Sequence, residues 1–241
     1  MMSQLYLWGP VRKEHKKALT YIRDLYFEKM SPVFANAEKE AEEYGENLWE
    51  NAMSVPCSGD DYDDNASAEI AEICQDASVE KYEILSLMRY RNRGMWLSCM
   101  CQVWEQQLLV FLKQEKKRNG LIFKKATDFE AVKECFKFYN YDLEKMKCWE
   151  EIRELRLLVN VLKHGEGPSA DRLRKTRPDY FSYENEPGFL KFEMDTLKFH
   201  ESTLLEETLK ICDEHFEAYY TALISFWDEL PESMDSENLN Q

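Results

Sequence analysis

Glu150-Glu151-Ile152-Arg153-Glu154-Leu155-Arg156-Leu157-Leu158-Val159-Asn160-Val161-Leu162-Lys163-His164-Gly165 is the stretch on which the reading of this chain turns. Cys148, Ile152, Leu155, Val159 and Leu162 keep the i, i+4, i+7 spacing of one helical face, so that side is expected to be buried. At about 100° per residue, Arg153, Arg156, Asn160 and His164 fall on an adjoining stripe, with Lys163 at its edge. Gly165 follows directly, and glycine is the residue best suited to leave a helix with positive φ. His164 is therefore expected in the last turn, beside free carbonyls and the negative end of the helix dipole.

An Asn160-Val161-Leu162-Lys163-His164-Gly165 ending on an amphipathic helix, preceded by arginines, resembles the signature helix of HEPN domains (higher eukaryotes and prokaryotes nucleotide-binding). The resemblance covers about twenty-five residues. It implies an all-α bundle, commonly a homodimer, many of whose members are metal-independent endoribonucleases of toxin–antitoxin and phage-defence systems. Their motif is an arginine, a short spacer whose first residue is usually polar, and a histidine. Asn160 and His164 match it. The arginine does not, because Leu157-Leu158-Val159 stand in its place and Arg156 lies seven intervening residues upstream of His164.

RNA cleavage without a metal needs a group that exchanges the 2′-hydroxyl proton and positive charge for the phosphorus centre. His164 is the candidate acid/base, Arg156 the candidate charge stabiliser and Asn160 the orienting amide. The product would be a 2′,3′-cyclic phosphate. Arg153, Lys163, Arg172, Arg174, Lys175 and Arg177 are the candidate grip on flanking phosphates. The alternative is a relative without turnover, a nucleotide- or RNA-binding or protein-interaction helical module in which Asn160 and His164 only close the helix end.

Charge agrees with a local site. The formal net charge of −15 argues against a general nucleic-acid coat. Yet residues 153 to 177 carry seven Lys/Arg against three Asp/Glu, so any nucleic acid is expected to bind there. Hydrophobic and charged fractions of 44% and 32% are those of a folded soluble chain. No run of eighteen apolar residues exists, so no membrane span is expected, and the N-terminus lacks the basic-then-apolar pattern of a secretory signal. Seven cysteines without a Cys-x-x-Cys read as buried reduced thiols of a cytoplasmic protein. No phosphate loop, nucleophile elbow or zinc helix is present, so no cofactor or metal is expected.

Few glycines and prolines among abundant Leu, Glu and Lys favour helices throughout, giving a single all-α, up-and-down helical domain over 1–230. One or two helices are expected from Pro10 to Met53, broken at Ser31-Pro32, with His15 on the surface. An acidic linker follows at about 54–68. Asp61, Asp63, Asn65 and Glu72 imitate a calcium loop, but Ala66 occupies the place that needs glycine, so a solvated loop is expected. Residues 67 to 118 read as helix in two or more pieces, nearly all apolar around Met88, Met95, Trp96 and Trp104. Glu105 either lies at an outer edge or pairs with Arg153 or Arg156. Asn119-Gly120 is a turn, Asp128 a cap for a helix to Asn140, and Asp142 a cap for the signature helix. A helical turn is expected at 169–177. Tyr180 to Met194 should be a short irregular segment with a turn at Pro187-Gly188. A last helix over about 200–229 should point Leu204 and Leu205 inward and leave His215 exposed, before a disordered acidic tail over 231–241. Implied partners are RNA or a nucleotide, a second copy, and an antitoxin or other protein.

Overall fold

The structure, a computed structural model, describes residues 4–54, 64–119, 129–183 and 194–236. The calcium-like spacing, the Asn119-Gly120 turn, the Asp128 cap, the Pro187-Gly188 turn and the end of the tail lie wholly or partly outside them. The chain is all-α. Helices hold most of the described residues, and the strands form only two short antiparallel pairs. Among the described residues no helix is long and apolar enough to cross a membrane.

The chain divides into two compact units, residues 27–92 and residues 1–26 with 93–241. The smaller holds α2 (Ala37–Met53) and the first half of α3 (Asp64–Asn119). Ala37, Ala41 and Gly45 recur every fourth residue and are buried, which lets the two helices approach closely. A Cβ on Gly45 would stand 2.9 Å from that of Ser78, whose hydroxyl donates to the Ala41 carbonyl at 2.8 Å.

In the larger unit, α1 (Gly9–Leu25) starts with Pro10 in its first turn, where a missing N–H costs nothing. It ends in a π-turn at Tyr26–Met30, and a 3₁₀ turn begins at Ser31 where the Ser-Pro break was expected. It runs antiparallel to α8 (Asp213–Glu229), with Lys16 on Asp228 at 2.6 Å and Arg23 on Glu217 at 2.9 Å. The signature helix α5 (Trp149–His164) lies against α8, joined by the Tyr219 hydroxyl donating to Glu154 at 2.6 Å. Of the expected face, Cys148, Ile152, Leu155 and Val159 are buried and Leu162 only half-buried, while Leu158 and Val161 are buried beside them; Phe216, Leu223, Phe226 and Trp227 of α8 and Trp104 and Leu108 of α3 are buried too. Burial pushes the thiols of Cys101, Cys135 and Cys148 up to about 12, which makes them poor nucleophiles.

Several local expectations need correction. Residues 64–119 form one continuous helix, and Ile84, Met88 and Met95 on it are exposed. Asp142 caps the 3₁₀ turn Leu143–Lys145, and α5 instead begins after Cys148. The helix α4 (Phe129–Phe138) buries Val132 and Phe136 as the spacing predicts. The helical turn after Gly165 is α6 (Pro168–Thr176). Ser182–Tyr183 (β2) pairs with Met194–Asp195 (β3), so the expected irregular stretch has ordered ends. His200 closes the separate five-residue α7 (Thr196–His200), and Leu204 and Leu205 are exposed. The tail is not disordered from 231. Ser233–Asp235 (β4) pairs with Gln4–Tyr6 (β1), setting buried Leu5 opposite buried Met234.

Candidate functional site

The site is the C-terminal exit of α5 and what is packed around it. Glu150 and Glu151 in its first turn and Lys163 and His164 in its last are matched to the helix dipole. Gly165 leaves with φ 71° and ψ −140°, a positive-φ region reserved for glycine, though not the left-handed helical well. Its position is fixed from outside too. A Cβ there would stand 2.3 Å from the Glu201 carbonyl oxygen, to which the Glu166 N–H donates at 3.3 Å. The Thr203 hydroxyl takes the free carbonyl of Leu162 at 2.8 Å, one of the end groups a helix leaves unpaired. The segment 196–203 therefore closes the end of α5 like a strap.

Asn160, Lys163 and His164 all face solvent at this end. Among the described residues none bonds to the His164 ring or to the Asn160 amide, so the side chains do not serve as the helix closure. Thr203 and Gly165 do that instead.

The arginines are placed differently. Arg156 is half-buried, with its Nε on Glu105 at 2.7 Å and its guanidinium carbon 3.5 Å from the centre of the Phe129 ring. The pairing alternative for Glu105 is the one realised. By the 1.5 Å rise per residue, Arg156 also stands about 12 Å from His164 along the helix. Arg153 is exposed and held by Glu150, one turn earlier.

Arg174 and Arg177, expected to grip phosphates, are engaged with carboxylates of the fold. Arg174 lies between Glu166 and Asp195 and over the Phe181 ring, and hydrogen bonding first to Glu166 raises its basicity. Arg177 donates to Glu154 at 2.6 Å, to the Tyr180 hydroxyl at 2.7 Å, to Asp179 and to Nε2 of His215 at 3.0 Å. Burial works against its charge, but the bonds to Asp179 and Glu154 outweigh that and leave it more basic than usual. Tyr180 and Tyr219 complete this network, hydroxyl to hydroxyl at 2.7 Å, and burial first raises both phenols. It ties α5, α6 and α8 into one unit. His215, expected at the surface, is half-buried within it.

What remains for an external anion is Lys163, Arg172 and Lys175, exposed and without a carboxylate partner among the described residues, together with His164 and Asn160. The residues the sequence did not bring forward are Phe129, Glu166, Asp195 and Thr203. Each acts across at least eight positions of chain, and no local spacing announces it. Among the described residues no group of three His, Cys, Asp or Glu side chains could hold a metal ion. No family model, curated protein or solved structure matches this chain.

Proposed function

We propose that this is a HEPN-like helical protein that binds RNA or a nucleotide at the exit of α5 without cleaving it. Lys163, Arg172 and Lys175 take phosphate oxygens, and Asn160 and His164 offer directional hydrogen bonds beside them. The reading rests on one contrast. The polar groups of the last turn face solvent without internal partners, while the nearest α5 guanidinium, Arg156, is engaged by Glu105 and Phe129. Phosphoryl transfer needs a guanidinium or similar charge fixed at the phosphorus centre as well as a proton carrier, and the arginine read for that role, Arg156, is held by Glu105 about 12 Å along the helix from His164.

The test is binding of a short labelled RNA by fluorescence anisotropy. Lys163→Ala and Arg172→Ala should each weaken it, more at low than at high salt, with the labelled strand recovered intact. Strand scission with a 2′,3′-cyclic end, lost in His164→Ala, would instead establish the second reading, an endoribonuclease of a toxin or defence system. What favours that reading is the exposed, internally unbonded His164. Affinity unchanged by either substitution would sink both.

A further inference from the structure

Charge is divided unevenly between the two units. Residues 27–92 carry sixteen Asp/Glu against five Lys/Arg, a net −11 of the chain's −15. A surface so dominated by one sign attracts ligands of the other. Within this unit α2 and the first half of α3 leave an open groove of about 520 Å³, inside the size range of small-ligand sites. Glu42, Gly45, Glu46 and Trp49 of α2 line it, at the i, i+3, i+4, i+7 spacing of one helical face, together with Cys74 and Ser78 of α3.

The carboxylates of the groove differ from their neighbours. On the same helix Glu40 and Glu43 are paired, with Lys81 at 3.1 Å and Lys39 at 3.2 Å. Glu42 and Glu46, both exposed, have no cationic partner among the described residues. Like charges four positions apart repel and work against the helix that carries them, so a cation between them removes a cost the fold otherwise bears. The Ser78 hydroxyl donates to the Ala41 carbonyl at 2.8 Å, which takes it from the carboxylates as a donor.

The remaining walls select the kind of cation. Trp49 is half-buried and supplies the aromatic side chain that holds a positive charge best. Cys74 is 8% exposed, a free thiol without a hydrogen bond among the described residues. A bare metal ion needs more ligands than this, and among the described residues no group of three His, Cys, Asp or Glu side chains could hold one. An ammonium group on an aliphatic stem fits instead, because it brings its own hydrogen-bond donors to the carboxylates and charge to the ring.

We infer that the α2–α3 groove binds an alkylammonium group, its N–H donors on Glu42 and Glu46 and its charge against Trp49. A free polyamine and a lysine side chain of a partner present that same group. The inference does not depend on the RNA reading of the α5 exit.

The experiment is calorimetric titration of the full chain with spermidine and, in parallel, with acetyl-trilysine amide, which carries as many ammonium groups. It is run at about 0.1 M salt, where charges beyond the groove are largely screened. Glu42→Gln combined with Glu46→Gln should weaken binding by roughly 2- to 30-fold. Trp49→Leu should weaken it by roughly 2- to 30-fold, and Trp49→Phe by less, since a smaller aromatic face remains. Glu38→Gln combined with Glu83→Gln removes the same charge from exposed positions outside the groove and should leave the affinity unchanged. Circular dichroism checks each variant; if Trp49→Leu does not fold, Trp49→Phe and the two glutamate pairs decide. Tighter binding of spermidine would make the natural ligand a free polyamine, and tighter binding of the peptide a partner's lysine; either supports the site. Equal losses from the groove pair and the control pair would reduce the attraction to a diffuse field and overturn the inference. So would an unsubstituted protein that binds neither cation, or an affinity indifferent to the groove glutamates and Trp49.

Discussion

Gly165 shows how much one residue can carry. Its φ of 71° is barred to side chains with a Cβ except at a cost, and the space a Cβ would fill is taken by the Glu201 carbonyl. Strain of this kind costs about 1–3 kcal/mol per residue, and the backbone clash adds to it. Gly165→Ala should therefore lower the unfolding free energy by at least that amount, with a correspondingly lower denaturation midpoint, and loosen residues 196–203, read as faster amide exchange there. A midpoint unchanged within error would mean the strap is not seated as described. Arg156 makes the second case. The ion pair with Glu105 has side-chain exposures of 28% and 34%, so solvent screens part of it. Its loss lies between the exposed-pair and buried-pair ranges, roughly 1–2 kcal/mol. Glu105→Gln should cost that much in urea denaturation and, by releasing a guanidinium, raise RNA affinity. If stability drops and affinity does not rise, Arg156 is a packing residue alone. The sequence shows Glu105 embedded in an apolar helix and Arg156 on the stripe beside the apolar face of α5. It does not show Phe129, which joins them from another helix.

At the scale of elements, legibility follows the range of the interaction that makes the element. The buried face of α5 and its end at Gly165 are visible in sixteen residues because both are local, set by the 3.6-residue period and by backbone freedom. The unbroken α3 is not visible, since nothing in its sequence forces continuity between its two parts, and its exposed Met88 and Met95 blur the period. β4 is less legible still. Pro231-Glu232-Ser233-Met234-Asp235-Ser236 is polar and near the end of the chain, and reads as tail. It orders because Leu5 and Leu7, more than 220 positions away, need cover, and Met234 supplies it. The pairing is reinforced by the Tyr6 N–H donating to the buried Glu115 carboxylate at 2.9 Å and by the Leu7 N–H donating to the Glu232 carbonyl at 2.8 Å. Met234→Ala should then cost about 2 kcal/mol, the low end for truncating a buried methionine. Removing 231–241 should cost more. A denaturation midpoint unaffected by either change would return the segment to the disordered tail its composition suggests.

For the molecule as a whole, two histidines read from the sequence as solvated make stability depend on pH. His15 lies with its ring 4.4 Å from that of Trp227 and its Nε2 buried without a partner, and burial lowers its pKa from the usual 6.5. His215 is lowered too, by burial first and then by the Arg177 charge, with Asp179, Glu154 and Glu214 opposing. Its Nε2 accepts from Arg177, and its Nδ1 faces the backbone N–H and sulfur of Cys212, so a second ring proton would point at a guanidinium. Both rings thus resist protonation when folded and accept it when unfolded. The unfolded chain binds more protons, so stability rises with pH across this window. The stabilisation is complete above about pH 6.5 and is lost as pH falls through each folded-state value, with a slope of up to about 1.4 kcal/mol per pH unit for each ring. Thermal unfolding between pH 7 and pH 5 should show a falling midpoint. His15→Phe and His215→Gln should each flatten that slope, whatever they do to the midpoint at pH 7. A slope untouched by both substitutions would overturn the assignment of the acid sensitivity to these two rings.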